Sequence, residues 1–161
     1  AVWARLGDLD RAEQLIESAE AGLGSFAGGH GQAVVSGVRG LVCLERGDAA
    51  GAETALLRAY KAAVESGDMP MVSMVAVNAA GLASLRGQHH EVALLLGAAA
   101  RLRGTHDRSD PRIREMSGRS REALGGDAFD EAYENGWQLD GKAASAQVDP
   151  RLLRELQARR A

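Results

Sequence analysis

The thirteen residues from Gly47 to Ala59, GDAAGAETALLRA, contain the pattern that decides the fold. A glycine followed by apolar residues at fixed offsets occurs again forty residues earlier, at Gly7, and forty residues later, at Gly87. The positions five, nine and twelve residues after each glycine are Ala12, Ala52 and Val92; Ile16, Leu56 and Leu96; and Ala19, Ala59 and Ala99. These offsets place the apolar residues on one face of a helix. The repeat therefore predicts a packing helix after each glycine.

Each repeated glycine lies where the preceding helix must end. Asp8 and Asp48 follow directly and can accept hydrogen bonds from the first free amides of the next helix. Seven positions before the turn, the small residues Gly40 and Ala80 allow two helix backbones to approach closely. The repeating unit is thus a helix, a tight turn and a second helix.

Composition and local signals extend this prediction to the whole chain. The 161 residues include 30 alanines and 19 leucines but only six aromatic residues, which favours an all-α fold. Asp110-Pro111 and Asp149-Pro150 each combine a capping side chain with proline at a helix start. We predict a helix ending near residue 6 and further helices at about 8–22, 31–46, 48–66, 69–86, 88–103, 111–124, 127–137, 140–147 and 150–160.

The offsets after each glycine match the second half of a tetratricopeptide (TPR) unit, and the small residue before the turn matches its first half. Residues 1–104 therefore resemble a TPR-like array. The fold that this resemblance implies is all-α: stacked antiparallel helical hairpins of a TPR-like α-solenoid fragment, sealed by divergent C-terminal capping helices over residues 105–161. We expect the two parts to pack as one domain.

A second resemblance covers about forty residues of the tail. The segments LLGAAARLRG (95–104), DRSDP (107–111), ALG (123–125) and FDEAY (129–133), with Gly136, are similar to the C-terminal end of actinobacterial multidomain transcriptional regulators of the SARP and LuxR types. In those regulators a DNA-binding domain, often with a nucleotide-binding switch module, precedes a TPR-like sensor region. The resemblance implies a regulatory, protein-binding role here and does not imply that this piece contacts DNA or nucleotide.

Charge and cysteine content set the broad class. The net charge is −3 and the only cysteine is Cys43, so no internal disulfide is possible and a cytoplasmic location is the default expectation. The longest apolar stretch, 69–85, is interrupted by polar residues and proline, which favours a buried helix over a membrane span. The start Ala-Val-Trp, without an initiator methionine, suggests a piece of a longer protein.

Candidate catalytic and ligand motifs are weak. The glycine-rich segment 22–31 lacks a Walker pattern, so a flexible connection is favoured over a phosphate site. His89 and His90 are neighbours, which point about 100° apart on a helix and cannot easily share one metal ion. Cys43 is expected to be a small buried apolar group. We predict no enzyme activity, no metal site and no cofactor.

Seven arginines form a basic stripe with only three acidic residues among them: Arg101, Arg103, Arg108, Arg112, Arg114, Arg119 and Arg121. The stripe could bind nucleic acid or an acidic protein surface, but a solvated helix face is the favoured interpretation, because aromatic residues for base stacking are missing from it. Phe129 and Trp137 are predicted to anchor the core of the terminal helices rather than to stack on a ligand.

In TPR-like stacking the first helix of each pair lines a concave groove, and this nominates Val34, Leu41, Glu45, Met74, Asn78 and Leu85 as partner-contacting residues. Asn78 either bonds a neighbouring backbone in the core, the favoured alternative, or contacts the partner. We predict a non-enzymatic protein–protein interaction and sensor domain of a transcriptional regulator. Its partner is another domain of the same regulator or a separate protein, with no direct nucleic-acid or membrane binding and with oligomerisation left open. The alternative is a sensor that holds a small apolar ligand between its helices.

The forty-residue register makes a stability prediction. Ala52→Arg and Ala99→Arg should each lower the free energy of unfolding by about 3 kcal/mol or more, because both positions are predicted to fill close helix contacts. Glu65→Arg, at a polar helix end, should change it little. Urea unfolding followed by circular dichroism measures all three, and equal tolerance at the three positions would show that the register is wrong.

Overall fold

The computed structural model describes residues 8–24 and 28–161, and within these ranges the chain forms helices and no strand. The all-α prediction is therefore confirmed. The predicted helix bounds agree with the structure to within two residues, while the helix predicted to end near residue 6 lies outside the described residues. The helices are α1 (Leu9–Leu23), α2 (Gly29–Glu45), α3 (Ala49–Ser66), α4 (Met69–Leu85), α5 (His89–Arg103), α6 (Pro111–Leu124), α7 (Gly126–Trp137), α8 (Gly141–Gln147) and α9 (Arg151–Arg160).

The predicted turn chemistry is present at the described repeats. Asp8 and Asp48 each accept a hydrogen bond from the backbone amide three residues on, at 3.2 and 2.9 Å. Gly47 and Gly87 have φ values of 72° and 67°, a left-handed conformation that favours glycine. The third turn differs, because Gln88 makes no side-chain cap. Two helix starts are thus capped by aspartate. At the third, the Gln88 side chain instead donates to the Leu153 carbonyl.

Consecutive helices from α2 to α5 pack on one another, and they are joined by short turns. In addition, α2 packs on α4, and α4 packs on α6. His30 bonds to Asp68 at 2.9 Å, and Asn78 donates to the Gly37 carbonyl at 3.3 Å, so residue numbers rise together along both helices. Helices α2 and α4 therefore run side by side in the same direction.

Small residues permit this close packing, as the repeat predicts. Ala52, Leu56 and Ala59 are fully buried, and Ala99 is 4% exposed. A Cβ added at Gly40 would lie 2.9 Å from Cδ2 of Leu56, nearer than real Cβ contacts come. The repeat face is thus the seam between neighbouring helices.

Helices α5 and α7 approach even more closely. A Cβ at Gly97 would overlap the carbonyl oxygen of Tyr133, and a Cβ at Gly136 would overlap the carbonyl oxygen of Leu94. The two glycines therefore bring one helix backbone directly against the other. Only glycine allows this separation at either position.

The last two helices return to the first half of the chain. The Tyr60 hydroxyl donates to the Ser145 carbonyl at 3.1 Å, and Nε2 of Gln88 donates to the Leu153 carbonyl at 3.0 Å. Helix α8 also packs on α5. The C-terminal helices are consequently fastened to α3 and to the turn before α5.

A buried ion-pair cluster forms a third connection. Glu53 is 6% exposed, and its carboxylate accepts hydrogen bonds from Arg86 and Arg154, both at 2.5 Å. Burial opposes ionisation of Glu53, but the bonds from the two arginines outweigh it and hold the pKa of the carboxyl below its usual value. Glu53 therefore stays ionised in the folded protein.

The close approach of α5 and α7 predicts that a methyl group added at Gly136 lowers stability, while one added at Gly118 does not. Gly136→Ala should lower the free energy of unfolding by about 2 kcal/mol or more, because α7 must move away from α5. Gly118→Ala is the matched control in the middle of α6, where a Cβ meets nothing within 4 Å. It should raise stability by about 0.5 to 1 kcal/mol. Urea unfolding measures both, and a neutral Gly136→Ala would contradict the close crossing.

The Glu53 cluster predicts a pH dependence. Glu53→Gln should lower the free energy of unfolding by about 3 kcal/mol at pH 7, because it removes the charge that compensates the buried Arg86. Since the folded-state pKa of Glu53 is lowered, its contribution is complete above about pH 4.3, the usual glutamate pKa, and is lost as the pH falls through the folded-state pKa. Unfolding at several pH values should show the difference between wild type and variant shrinking in acid. Glu65→Gln is the exposed control, and a Glu53→Gln difference that stays constant down to acid pH would refute this.

Candidate ligand cavity

A cavity of about 770 Å³ lies where α4, α5, α6 and α7 meet. One part of its wall is apolar and the other is charged. The apolar wall contains Val77, Leu96, Ala99, Ala100, Ile113 and Phe129. The charged wall contains Arg103, Arg108, Arg114 and Arg121 with Asp107, Asp130 and Glu134. The cavity thus combines an apolar floor with a rim rich in arginine.

Asp107 shapes the loop between α5 and α6 that forms part of this rim. One of its oxygens accepts from the hydroxyl and the amide of Ser109, each at 2.9 Å, and from the amide of Asp110 at 3.3 Å. The other accepts from Arg103 at 2.8 Å. The Ser109 hydroxyl and amide, together with the Asp110 amide and Arg103, lower the pKa of Asp107. The ionised carboxylate therefore holds the loop that carries Arg108.

The arginines of the rim fall into two classes. Arg103 pairs with Asp107, and Arg121 pairs with Asp130 at 2.5 Å while its guanidinium lies 4.4 Å from the ring centre of Phe129. Among the described residues, Arg108 and Arg114 make no ion pair, and both are exposed. Two of the four arginines that line the cavity are thus not neutralised by an ion pair with a described residue.

Aromatic side chains border the cavity beside the loop between α5 and α6. Nδ1 of His106 lies 2.7 Å from the Tyr133 hydroxyl, and the His106 ring lies 4.1 Å from the Trp137 ring, centre to centre. Burial raises the pKa of Tyr133, so the phenol keeps its proton at neutral pH and can donate a hydrogen bond to His106. Phe129 is 3% exposed, as predicted for a core anchor, whereas Trp137 is half-buried and packs against the tilted His106 ring. The difference arises because Trp137 is the last residue of α7, beside the α5–α6 loop.

The predicted arginine stripe therefore lies partly along the rim of the cavity. Four of its seven members line the cavity, and Arg112 instead donates to Oδ1 of Asn78 at 2.9 Å. Arg119 pairs with Glu115 at 2.7 Å on the outer side of α6. The stripe converges because the end of α5, the loop and α6 all face α7, a neighbour that local sequence does not reveal.

The residues nominated for a partner groove lie in different environments. Leu41 and Asn78 are 7% and 3% exposed, so they have little surface to present to a partner. The Asn78 bond to a neighbouring backbone agrees with the favoured interpretation of that residue. Met74 is half-buried, with its Cε against Gly37, while Val34, Glu45 and Leu85 are exposed.

The remaining candidate motifs have separate partners. Nδ1 of His89 lies 3.2 Å from Oγ of Ser120, and His90 pairs with Glu91 at 3.2 Å. No group of three or more His, Cys, Asp or Glu residues that could hold a metal ion occurs in residues 8–24 and 28–161. Cys43 is half-buried, and burial raises the pKa of its thiol. The glycine-rich segment 22–31 falls partly outside the described residues.

Sequence reasoning missed the residues that connect the rim to α7, namely His106 and Tyr133. The Asp107-Arg108-Ser109-Asp110 run offered a local signal, because an aspartate in a short polar loop often accepts a hydrogen bond from the backbone amide two residues on, which is an Asx turn. The pairing of His106 with Tyr133 spans 27 residues and has no local signal.

Comparisons with protein-family models, with curated proteins and with solved structures found no match to the chain. In the part of the chain that the structure describes, no helix is long and apolar enough to cross a membrane.

Proposed function

We propose that the chain is a non-enzymatic interaction and sensor domain with TPR-like stacking, from the C-terminal part of an actinobacterial transcriptional regulator that acts in the cytoplasm. The proposal combines the resemblance of the repeat and the tail with the arrangement of the helices. The domain would act by occupancy: a partner that binds one arrangement of the larger protein more tightly shifts the population toward it.

The observation that carries this proposal is the position of Asn78 on α4. Its amide nitrogen donates to the Gly37 carbonyl of α2, and its amide oxygen accepts from Arg112 of α6. One buried side chain therefore links the helices that would be the first members of three successive pairs. Side-by-side first helices are the arrangement by which helical repeats build a continuous binding surface.

The exposed part of that surface is amphipathic. Val34 on α2 is 36% exposed and Leu85 on α4 is 45% exposed, and Glu45 adds an acidic group at the end of α2. An amphipathic helix or extended segment of another regulator domain could contact such positions. This surface replaces the larger groove predicted from sequence, because Leu41 and Asn78 are buried.

A second candidate function is sensing of a small molecule. The cavity between α4, α5, α6 and α7 falls in the volume range of ligand pockets, and apolar residues such as Val77 and Ile113 form its floor. In this case ligand occupancy, rather than contact with a partner protein, would favour one arrangement of the regulator.

Partner binding is tested with the polypeptide that the same gene encodes on the N-terminal side of Ala1. Val34→Asp and Leu85→Asp should each weaken its binding to the domain at least tenfold in calorimetry, because each places a charge in an apolar contact. Both side chains are exposed, so circular dichroism should remain that of the wild type. Val64→Asp is the matched control, since Val64 is 40% exposed but lies on α3.

Two results would contradict the proposal. One is a gene that encodes no DNA-binding or switch domain beside this chain. The other is equal binding by the Val34, Leu85 and Val64 variants, which would place the contact on another surface.

A further inference from the structure

We infer that the cavity between α4, α5, α6 and α7 binds a small organic anion, with an apolar body against the floor and a carboxylate or phosphate head against Arg108 and Arg114. This inference goes beyond the proposed contact with a partner protein. It also differs from the apolar ligand of the second candidate, because it assigns the ligand a charge.

The charge balance of the rim is the first reason. Four arginines and three acidic residues line the cavity, but Arg103 and Arg121 are each paired with an aspartate. Glu134, the third acid, accepts a hydrogen bond from Gln138 at 2.5 Å and has no cationic partner among the described residues. Arg108 and Arg114 therefore keep free guanidinium donors at the rim. A guanidinium presents a planar fork that binds a carboxylate or phosphate through two parallel hydrogen bonds.

The floor is the second reason. Beneath the arginines the wall is built from Val77, Leu96 and Ile113 with two alanines of α5. Val77 and Leu96 are 6% and 3% exposed, so they close the base of the floor, and the half-buried Ile113 provides its accessible apolar surface. Inorganic phosphate would leave this apolar surface in contact with water, whereas a hydrocarbon body would cover it.

The hydroxyl groups that line the cavity differ in whether they already bond to another protein group. The hydroxyl of Ser73 donates to the Ala99 carbonyl at 2.8 Å, and the hydroxyl of Tyr133 contacts His106. Thr105 and Ser117 also line the cavity, one on the loop and one on α6. They can add neutral hydrogen bonds to an anionic head that the arginines hold.

The same geometry disfavours a nucleic acid. Base recognition on an arginine surface needs aromatic faces open to solvent. Here Phe129 is 3% exposed and lies under the Arg121 guanidinium, while Trp137 is half-buried with the His106 ring packed against it. The occupant that fits is thus a compact amphiphile.

The experiment compares octanoate with 1-octanol, which have the same hydrocarbon chain and differ in charge. Calorimetry with the whole 161-residue chain, below the micelle concentration, should show saturable binding of octanoate at least about tenfold tighter than that of octanol. Inorganic phosphate should bind more weakly than octanoate, because it leaves the floor uncovered.

Variants connect this binding to the rim. Arg108→Gln and Arg114→Gln should each weaken octanoate binding about tenfold and leave octanol binding unchanged. Arg119→Gln is the matched control on α6, since Arg119 does not line the cavity. Ser117→Trp should block both ligands by filling the cavity, and circular dichroism checks that each variant folds.

Several outcomes would overturn the inference. These are equal affinity for octanoate and octanol, phosphate binding as tight as octanoate binding, no saturable octanoate binding, or an equal loss in the Arg119→Gln variant. Tighter binding of a glutamate-rich peptide than of octanoate would instead indicate an acidic protein partner. Val34 and Leu85 do not line the cavity, so their variants test the partner surface separately and either hypothesis can fail alone.

Discussion

The close approach of the α5 and α7 backbones at Gly97 and Gly136 is the constraint on which the C-terminal half depends. Because neither residue has a side chain, the carbonyl oxygens of Tyr133 and Leu94 lie where a Cβ would otherwise be. This holds α7 directly against α5, so that Phe129 and Ala132 of α7 form a buried cluster with Ala93 of α5. The position of α7, which forms one side of the cavity, therefore depends on the absence of side chains at these two glycines. A bulkier residue at either position would change the distance between helices that determines the shape of the cavity.

Local signals predicted the helices because each signal acts within a few residues. Asp48 caps α3, Gly47 permits the turn before it, and Asp110-Pro111 starts α6. The candidate site was less predictable. The assignment of Leu41 and Asn78 to an open groove assumed that the first helices of all pairs remain uncovered on one side, but both residues are buried. A ligand pocket between helices was predicted only as an alternative and without its residues, since the walls of the cavity come from four helices and its geometry from the crossing of α5 and α7.

Apolar and polar contacts have different roles in this helical fold. The alanine-rich seams, such as that of Ala52 and Ala59, provide close packing but would tolerate several arrangements of similar density. The buried polar groups are more selective, since Asn78 needs both the Gly37 carbonyl and the Arg112 guanidinium in place. A displacement of one helix relative to its neighbour would leave these groups unpaired and desolvated. Packing thus supplies stability, and the polar links fix the alignment of the helices.

The return of α8 and α9 to the first half of the chain has a consequence for folding. Helical-repeat arrays normally contain contacts between sequence neighbours, so they can fold from any repeat outward. Here the bond from Arg154 to Glu53 spans 101 residues, and the bonds Tyr60–Ser145 and Gln88–Leu153 span 85 and 65. Such contacts raise the contact order and impose an entropic cost of loop closure before they form. The C-terminal helices are consequently held to α3 and to the turn before α5 by contacts between distant residues. The folding rate therefore depends on docking of the last helix as well as on formation of the local helix pairs.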